Sequence, residues 1–134
     1  MTLERENPTP RISVAIVDDE HSVRVSLRRL CEALGLDATV YASGRDFIDA
    51  IDKGVTRADC LLLDAHMPQM TGLELQNHLV ESGVRLPTVV YTADDAPEAQ
   101  ARYAAAGVEE YLRKPIGGDE LLAAIERAIA PRAD

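Results

Sequence analysis

Ile12-Ser13-Val14-Ala15-Ile16-Val17-Asp18-Asp19 is the stretch that decides the fold. Apart from Ser13 it is apolar without a break, and it runs straight into two acids. A short apolar run lacking the alternation of a half-exposed strand reads as a strand buried on both faces, as in a parallel sheet. The same design recurs downstream. Cys60-Leu61-Leu62-Leu63 leads to Asp64, Val89-Val90-Tyr91 to Thr92, and Tyr111-Leu112-Arg113 to Lys114-Pro115. A weaker run, Ala38-Thr39-Val40-Tyr41, completes a set of five strands near 12–17, 38–41, 59–63, 88–91 and 109–112.

Amphipathic stretches separate these strands. Val23, Leu27, Leu30, Cys31 and Leu34 recur at helical spacing over 21–34, and Gly35 stands where a helix of that length stops. Ser43 is placed to cap a short helix carrying Phe47, Ile48 and Ile51 that ends at Gly54. Further helices fall near 73–82, 96–106 and 119–129, the second of them rich in alanine. Five βα units joined by short loops require right-handed crossovers and a sheet covered on both faces. The fold class is therefore α/β, a doubly wound parallel sheet of the flavodoxin-like kind. Spacing alone does not order the strands; 2-1-3-4-5 is the common solution for five units.

At 134 residues the chain makes one domain with a core of its own, expected over 11–130. Residues 1–10, with Glu4, Arg5, Glu6, Pro8 and Pro10, read as a loose leader, and 131–134 as a short tail. No apolar run approaches the roughly 18 residues of a membrane span, and the leader lacks a signal peptide's apolar core, so a cytoplasmic location without membrane contact is expected. The formal net charge of −9 makes a surface that repels phosphate backbones, which argues against direct nucleic-acid binding. Cys31 and Cys60 have no metal-ligand or redox spacing and read as reduced thiols in the core.

In an open parallel sheet the ligand crevice lies beyond the carboxyl ends of the strands. Asp18, Asp19, Asp64, Thr92 and Lys114 would meet there. Three neighbouring carboxylates repel one another unless a cation intervenes. Hard oxygen ligands without a histidine or thiol partner suit Mg²⁺, with Mn²⁺ as an alternative. Three carboxylates, a divalent ion and Lys114 sum to zero formal charge. Conversion of Asp64 to an acyl phosphate dianion adds one unit of negative charge, which Thr92 and Lys114 are suited to receive. Each residue alone has a plainer reading: Asp18 as a helix cap, Thr92 as a strand-end residue, Lys114-Pro115 as an ordinary turn. Their conjunction at four strand ends of five favours chemistry.

Asp18-Asp19, Asp64-Ala65-His66-Met67-Pro68-Gln69-Met70-Thr71-Gly72, Thr92-Ala93 and Tyr111-Leu112-Arg113-Lys114-Pro115 together resemble the receiver domain of two-component response regulators. The resemblance covers roughly 11–130, and the Asp-x-x-Met-Pro-x-Met-x-Gly loop is its most specific part. It implies that Asp64 accepts phosphate from a sensor histidine kinase or phosphotransfer protein, the domain catalysing only its own phosphorylation and dephosphorylation. Asp19 and Asp64 would ligate Mg²⁺ directly, Asp18 through a water, and His66 through its main-chain carbonyl. Thr92 and Lys114 would bind phosphoryl oxygens, and Ala93 would leave the donor a path. Pro115 would follow a cis peptide bond. Thr92 and Tyr111 would form the switch, and the face made by the fourth helix, fifth strand and fifth helix would serve homodimerisation or partner binding.

Some positions depart from the family pattern. Ile116 replaces an aromatic often found there, and Gly117-Gly118 loosens the start of the last helix. His66 and Asp94 stand two positions beyond Asp64 and Thr92, where the resemblance implies an influence on acyl-phosphate lifetime. His21 and His78 read as surface residues. Met67 to Gln76 resembles receivers that precede LuxR-type DNA-binding domains. Three other classes stay in view. An aspartyl phosphatase needs a second acid where His66 stands. A vestigial interaction module would have lost an acid or the lysine. A flavin or nucleotide binder would carry a glycine-rich loop after the first strand, and none is present.

Overall fold

Continuous apolar runs can be buried on both faces only if helices cover the sheet on both sides, and the chain does this. The computed structural model describes residues 11–93 and 97–130. The expected leader 1–10, the tail 131–134 and Asp94 lie outside the described residues. In chain order the elements are β1 (Ser13–Val17), α1 (His21–Ala33), β2 (Asp37–Tyr41), α2 (Gly44–Asp52), β3 (Cys60–Asp64), α3 (Gly72–Glu81), β4 (Thr88–Thr92), α4 (Pro97–Ala105), β5 (Glu110–Arg113) and α5 (Gly118–Ile129). The strands form one parallel sheet ordered β2-β1-β3-β4-β5.

Alternation along each strand divides the core into two layers. Val14, Ile16, Cys60, Leu62, Val89, Tyr91 and Leu112 pack with Leu27 and Cys31 of α1 and with Leu121, Ala124, Ile125 and Ala128 of α5. Their strand neighbours Ala15, Val17, Leu61, Leu63 and Val90 pack on the other face with Phe47 and Ile48 of α2, Leu75 and Leu79 of α3 and Tyr103 of α4. Both cysteines are buried and free. Burial pushes the Cys31 thiol up to about 11 and the Cys60 thiol up to about 12, so both stay protonated at neutral pH.

Local signals set the helix limits. Ser43 caps α2, its hydroxyl accepting from the Asp46 N–H at 3.0 Å. Thr71 and Glu74 form a reciprocal capping box that starts α3. Gly35 lies just past α1 at φ 86°, a conformation that favours glycine. Two limits differ from the sequence expectation in a way that matters. Asp64 and Thr92 are the last residues of β3 and β4 rather than the first residues beyond them. Asp64 pairs in register with Tyr91, and Thr92 with Arg113, so the polar residues are still held by the ladder. Gly117 is the N-cap of α5, without a side-chain cap bond, and Gly118 is its first residue, where an added Cβ would lie 3.3 Å from Leu30 and 3.7 Å from Leu34.

Gly72 closes the Asp-x-x-Met-Pro-x-Met-x-Gly loop for a steric reason. A Cβ there would lie 2.7 Å from the Asp64 carbonyl oxygen and 2.9 Å from the Tyr103 hydroxyl. The Gly72 N–H donates to the Ala65 carbonyl at 3.2 Å, so the backbone cannot back away cheaply. Gly72→Ala is expected to lower stability by about 1–3 kcal/mol in urea unfolding, because the added methyl must displace the segment that carries Asp64.

Candidate functional site

Asp18 follows β1, Asp64 ends β3 and Thr92 ends β4, so three adjacent strands deliver polar side chains to one edge of the sheet. Asp18 and Thr92 are fully buried, Asp64 is nearly so, and Asp19 is exposed. One carboxylate oxygen from each of Asp18, Asp19 and Asp64 lies within 4.8 Å of the others. Lys114, just beyond β5, places its ammonium 3.9 Å from Asp64 Oδ1. The Lys114 N–H donates to the Thr92 carbonyl at 2.8 Å, which fixes where that side chain leaves the backbone. The Lys114–Pro115 peptide bond is cis.

Asp18 does not cap α1; Glu20 holds that position, without a side-chain cap bond. Instead Asp18 Oδ1 accepts from the Glu20 N–H at 2.8 Å, and Oδ2 accepts from the Tyr91 hydroxyl at 2.6 Å. Arg24 on α1 donates to the Asp18 carbonyl at 2.7 Å. The Tyr91 ring also lies under the Lys114 ammonium, 5.1 Å from centroid to Nζ. Burial, then the bond to Asp18, pushes the Tyr91 hydroxyl far above its ordinary value, so it remains a donor.

His66 donates its N–H to Asp64 Oδ1 at 3.3 Å, while its imidazole is exposed. Tyr111, half-buried on β5, packs its ring 5.8 Å from that of Tyr103. The Tyr103 hydroxyl in turn donates to the Ala65 carbonyl at 3.2 Å. Ala93 is exposed beside Thr92. His21 and His78 are exposed and take no part in the acidic cluster.

The donor set is three carboxylates with no imidazole or thiol among them, which fits a hard divalent cation. Burial pushes the Asp64 carboxyl up to about 6; the Asp18 charge adds to this, and Lys114 and the His66 N–H oppose it. Burial and the neighbouring acids both disfavour the ionised carboxylate, and a cation held among the three would offset them.

Tyr91, Tyr103 and Arg24 carry little functional signal in the sequence. Tyr91 reads there as one more residue of an apolar run. A hydroxyl immediately before the polar Thr92, on the opposite face of the strand, was the available signal. Tyr103 was signalled only as the lone aromatic of an alanine-rich helix.

The response regulator receiver domain model matches residues 14–126, and the chain belongs to that family. It is 37% identical to the transcriptional regulatory protein TdiR of Thauera aromatica over 118 residues, 88% of this chain and 51% of TdiR. It is 37% identical to the response regulator MprA of Mycolicibacterium vanbaalenii over 112 residues, 84% of this chain and 48% of MprA. The chain thus spans about half the length of these relatives. The crystal structure of FixJ-N superposes with a TM-score of 0.84 at 28% identity, covering 94% of this chain and 99% of that one. Receiver domains are phosphoacceptors rather than enzymes that turn over an external substrate. Among the described residues no helix is long and apolar enough to cross a membrane.

Because the folded Asp64 pKa of about 6 lies above the ordinary 3.8, the native state holds this proton more tightly than the unfolded chain. Between those values the native state is the more protonated one, so stability falls as pH rises through the window. In chelator, the contribution of Asp64 is expected to be most favourable below about pH 4 and lost by about pH 6–7. Asp64→Asn should therefore be the more stable protein at pH 7, with the gap closing toward pH 4 in denaturant titrations.

Proposed function

We propose that Asp64 accepts a phosphoryl group from a phosphohistidine of a sensor histidine kinase or phosphotransfer protein. The supporting observation is the placement of this buried carboxylate between two further acids and the Lys114 ammonium. Asp19 and Asp64 would hold Mg²⁺ directly, or Mn²⁺ in its place, with Asp18 acting through water and His66 through its carbonyl. The bound ion would neutralise charge on the phosphoryl group and its acceptor. An Asp64 oxygen forms the new bond to phosphorus as the phosphorus–nitrogen bond breaks. The electron pair leaves with the donor imidazole. Lys114 and Thr92 receive phosphoryl oxygens, and Ala93 leaves the approach open.

Beside the acids, Val23, Leu27, Tyr91, Lys114, Pro115 and Ile116 contribute to the walls of a depression of about 390 Å³. This surface suits contact with the protein that brings the phosphohistidine. The cytoplasm is the proposed compartment, in keeping with two reduced, buried thiols. The proposed receiver unit runs over 11–130.

Added negative charge on Asp64 draws the Thr92 hydroxyl toward it and opens room for Tyr111 to turn inward. Tyr111 lies on β5 against Tyr103 of α4, so its movement reaches the α4-β5-α5 face. Arg127 of α5 pairs with Glu110 of β5 at 2.9 Å on that same face. We assign it to homodimerisation or to contact with an output partner. A shift from 1:99 to 99:1 in the active form requires roughly 5.5 kcal/mol of differential stabilisation.

Intact-mass spectrometry after exposure to acetyl phosphate and Mg²⁺ tests this reading. One added PO₃ unit is expected, absent with chelator and absent in Asp64→Asn. An adduct that persists in Asp64→Asn, or no adduct on the wild-type chain, overturns it. Lys114→Ala should slow incorporation by roughly 100-fold, the usual cost of losing one group aimed at developing charge.

A further inference from the structure

Tyr91 sits where an apolar strand residue would fill the same space. Leucine or phenylalanine would complete the layer between the sheet and α1/α5 without burying a hydroxyl, which is costly unless bonded. The hydroxyl at this position meets Asp18 Oδ2 at 2.6 Å, a short charge-assisted bond. Asp18 Oδ1 is already held by the Glu20 N–H at 2.8 Å, so the two bonds together fix the plane of the carboxylate. Each oxygen keeps a second lone pair for a water or cation. The ring of the same tyrosine lies under Lys114 at 5.1 Å. Its carbonyl accepts from the Ala65 N–H at 3.0 Å, and its Cα is in register with Asp64.

One residue therefore touches an acid of the cation site through its hydroxyl, the site's ammonium through its ring, and the acceptor segment through its backbone. We propose that Tyr91 is a positioning residue for the divalent cation: its hydroxyl presets the Asp18 carboxylate and its ring steadies Lys114 beside Asp64. This rests on the reading of the three acids as a Mg²⁺ site. Partners of this kind orient ligands that would otherwise rotate, and their loss typically weakens metal binding without unfolding the protein.

Calorimetric titration of the full chain with Mg²⁺ near pH 7 tests the hydroxyl, independently of phosphorylation. Tyr91→Phe should raise the Mg²⁺ dissociation constant about tenfold while keeping the ring and the fold. In an Asp18→Asn background the same change should add less than about twofold, because the tyrosine acts through that carboxylate. Wild-type affinity in Tyr91→Phe, or an undiminished loss in the Asp18→Asn background, overturns the proposal. Absence of Mg²⁺ binding by the wild-type chain overturns it as well. A wild-type chain that binds Mg²⁺ yet takes no phosphate overturns the phosphoacceptor reading and leaves the role of Tyr91 standing on its own titration. For the ring, Tyr91→Leu should take up phosphate about threefold more slowly than Tyr91→Phe at saturating Mg²⁺. Equal rates overturn the part assigned to Lys114.

Discussion

Carboxylates held out of water beside one another are the constraint on which the rest of this structure depends. Asp18 and Asp64 lie at the ends of neighbouring strands, almost wholly buried, with Asp19 at the rim. Burial and mutual repulsion both disfavour such a cluster. The fold holds it by backbone geometry and one buried side chain: the strand ladder fixes Asp64, while the Glu20 N–H and the Tyr91 hydroxyl bond Asp18. The strain is electrostatic, and a cation or a covalent change at Asp64 alters it directly.

The two-layered core converts this local field into a defined arrangement. Along β4, Tyr91 faces α1 and α5, where it reaches Asp18 and Lys114. Its neighbour Thr92 ends the strand next to the register partner of Asp64. Consecutive residues thus serve opposite faces of the sheet, Tyr91 reaching Asp18 from beneath and Thr92 ending the strand, fully buried. Further out, Tyr111 and Tyr103 lie between β5 and α4, within reach of the loop that follows Asp64.

Much of this was legible in the sequence because parallel strands buried on both faces leave an uninterrupted apolar record. Five strands, their order and the cluster at their ends follow from those runs and from the common winding of such sheets. Strand limits slipped by a residue at Asp64 and Thr92 because a polar side chain does not stop a backbone from pairing. Composition does not show that Gly118 lies close to Leu30. Tyr91 was illegible as a partner of Asp18 because the two are 73 positions apart. Tyr103 and Ala65 are separated by 38. Periodicity records which face a residue occupies; it does not record what its terminal atom meets.

The anchoring of α4 has a consequence for how movement there would look. Its buried side chain is Tyr103, whose hydroxyl reaches the Ala65 carbonyl, and the Ala106 carbonyl just past its end accepts from Gln76 at 3.1 Å. Apolar contacts permit gradual sliding, whereas directional bonds are either made or broken. Any displacement of α4 would therefore have to break the Tyr103 and Gln76 bonds, not merely slide apolar surfaces past one another.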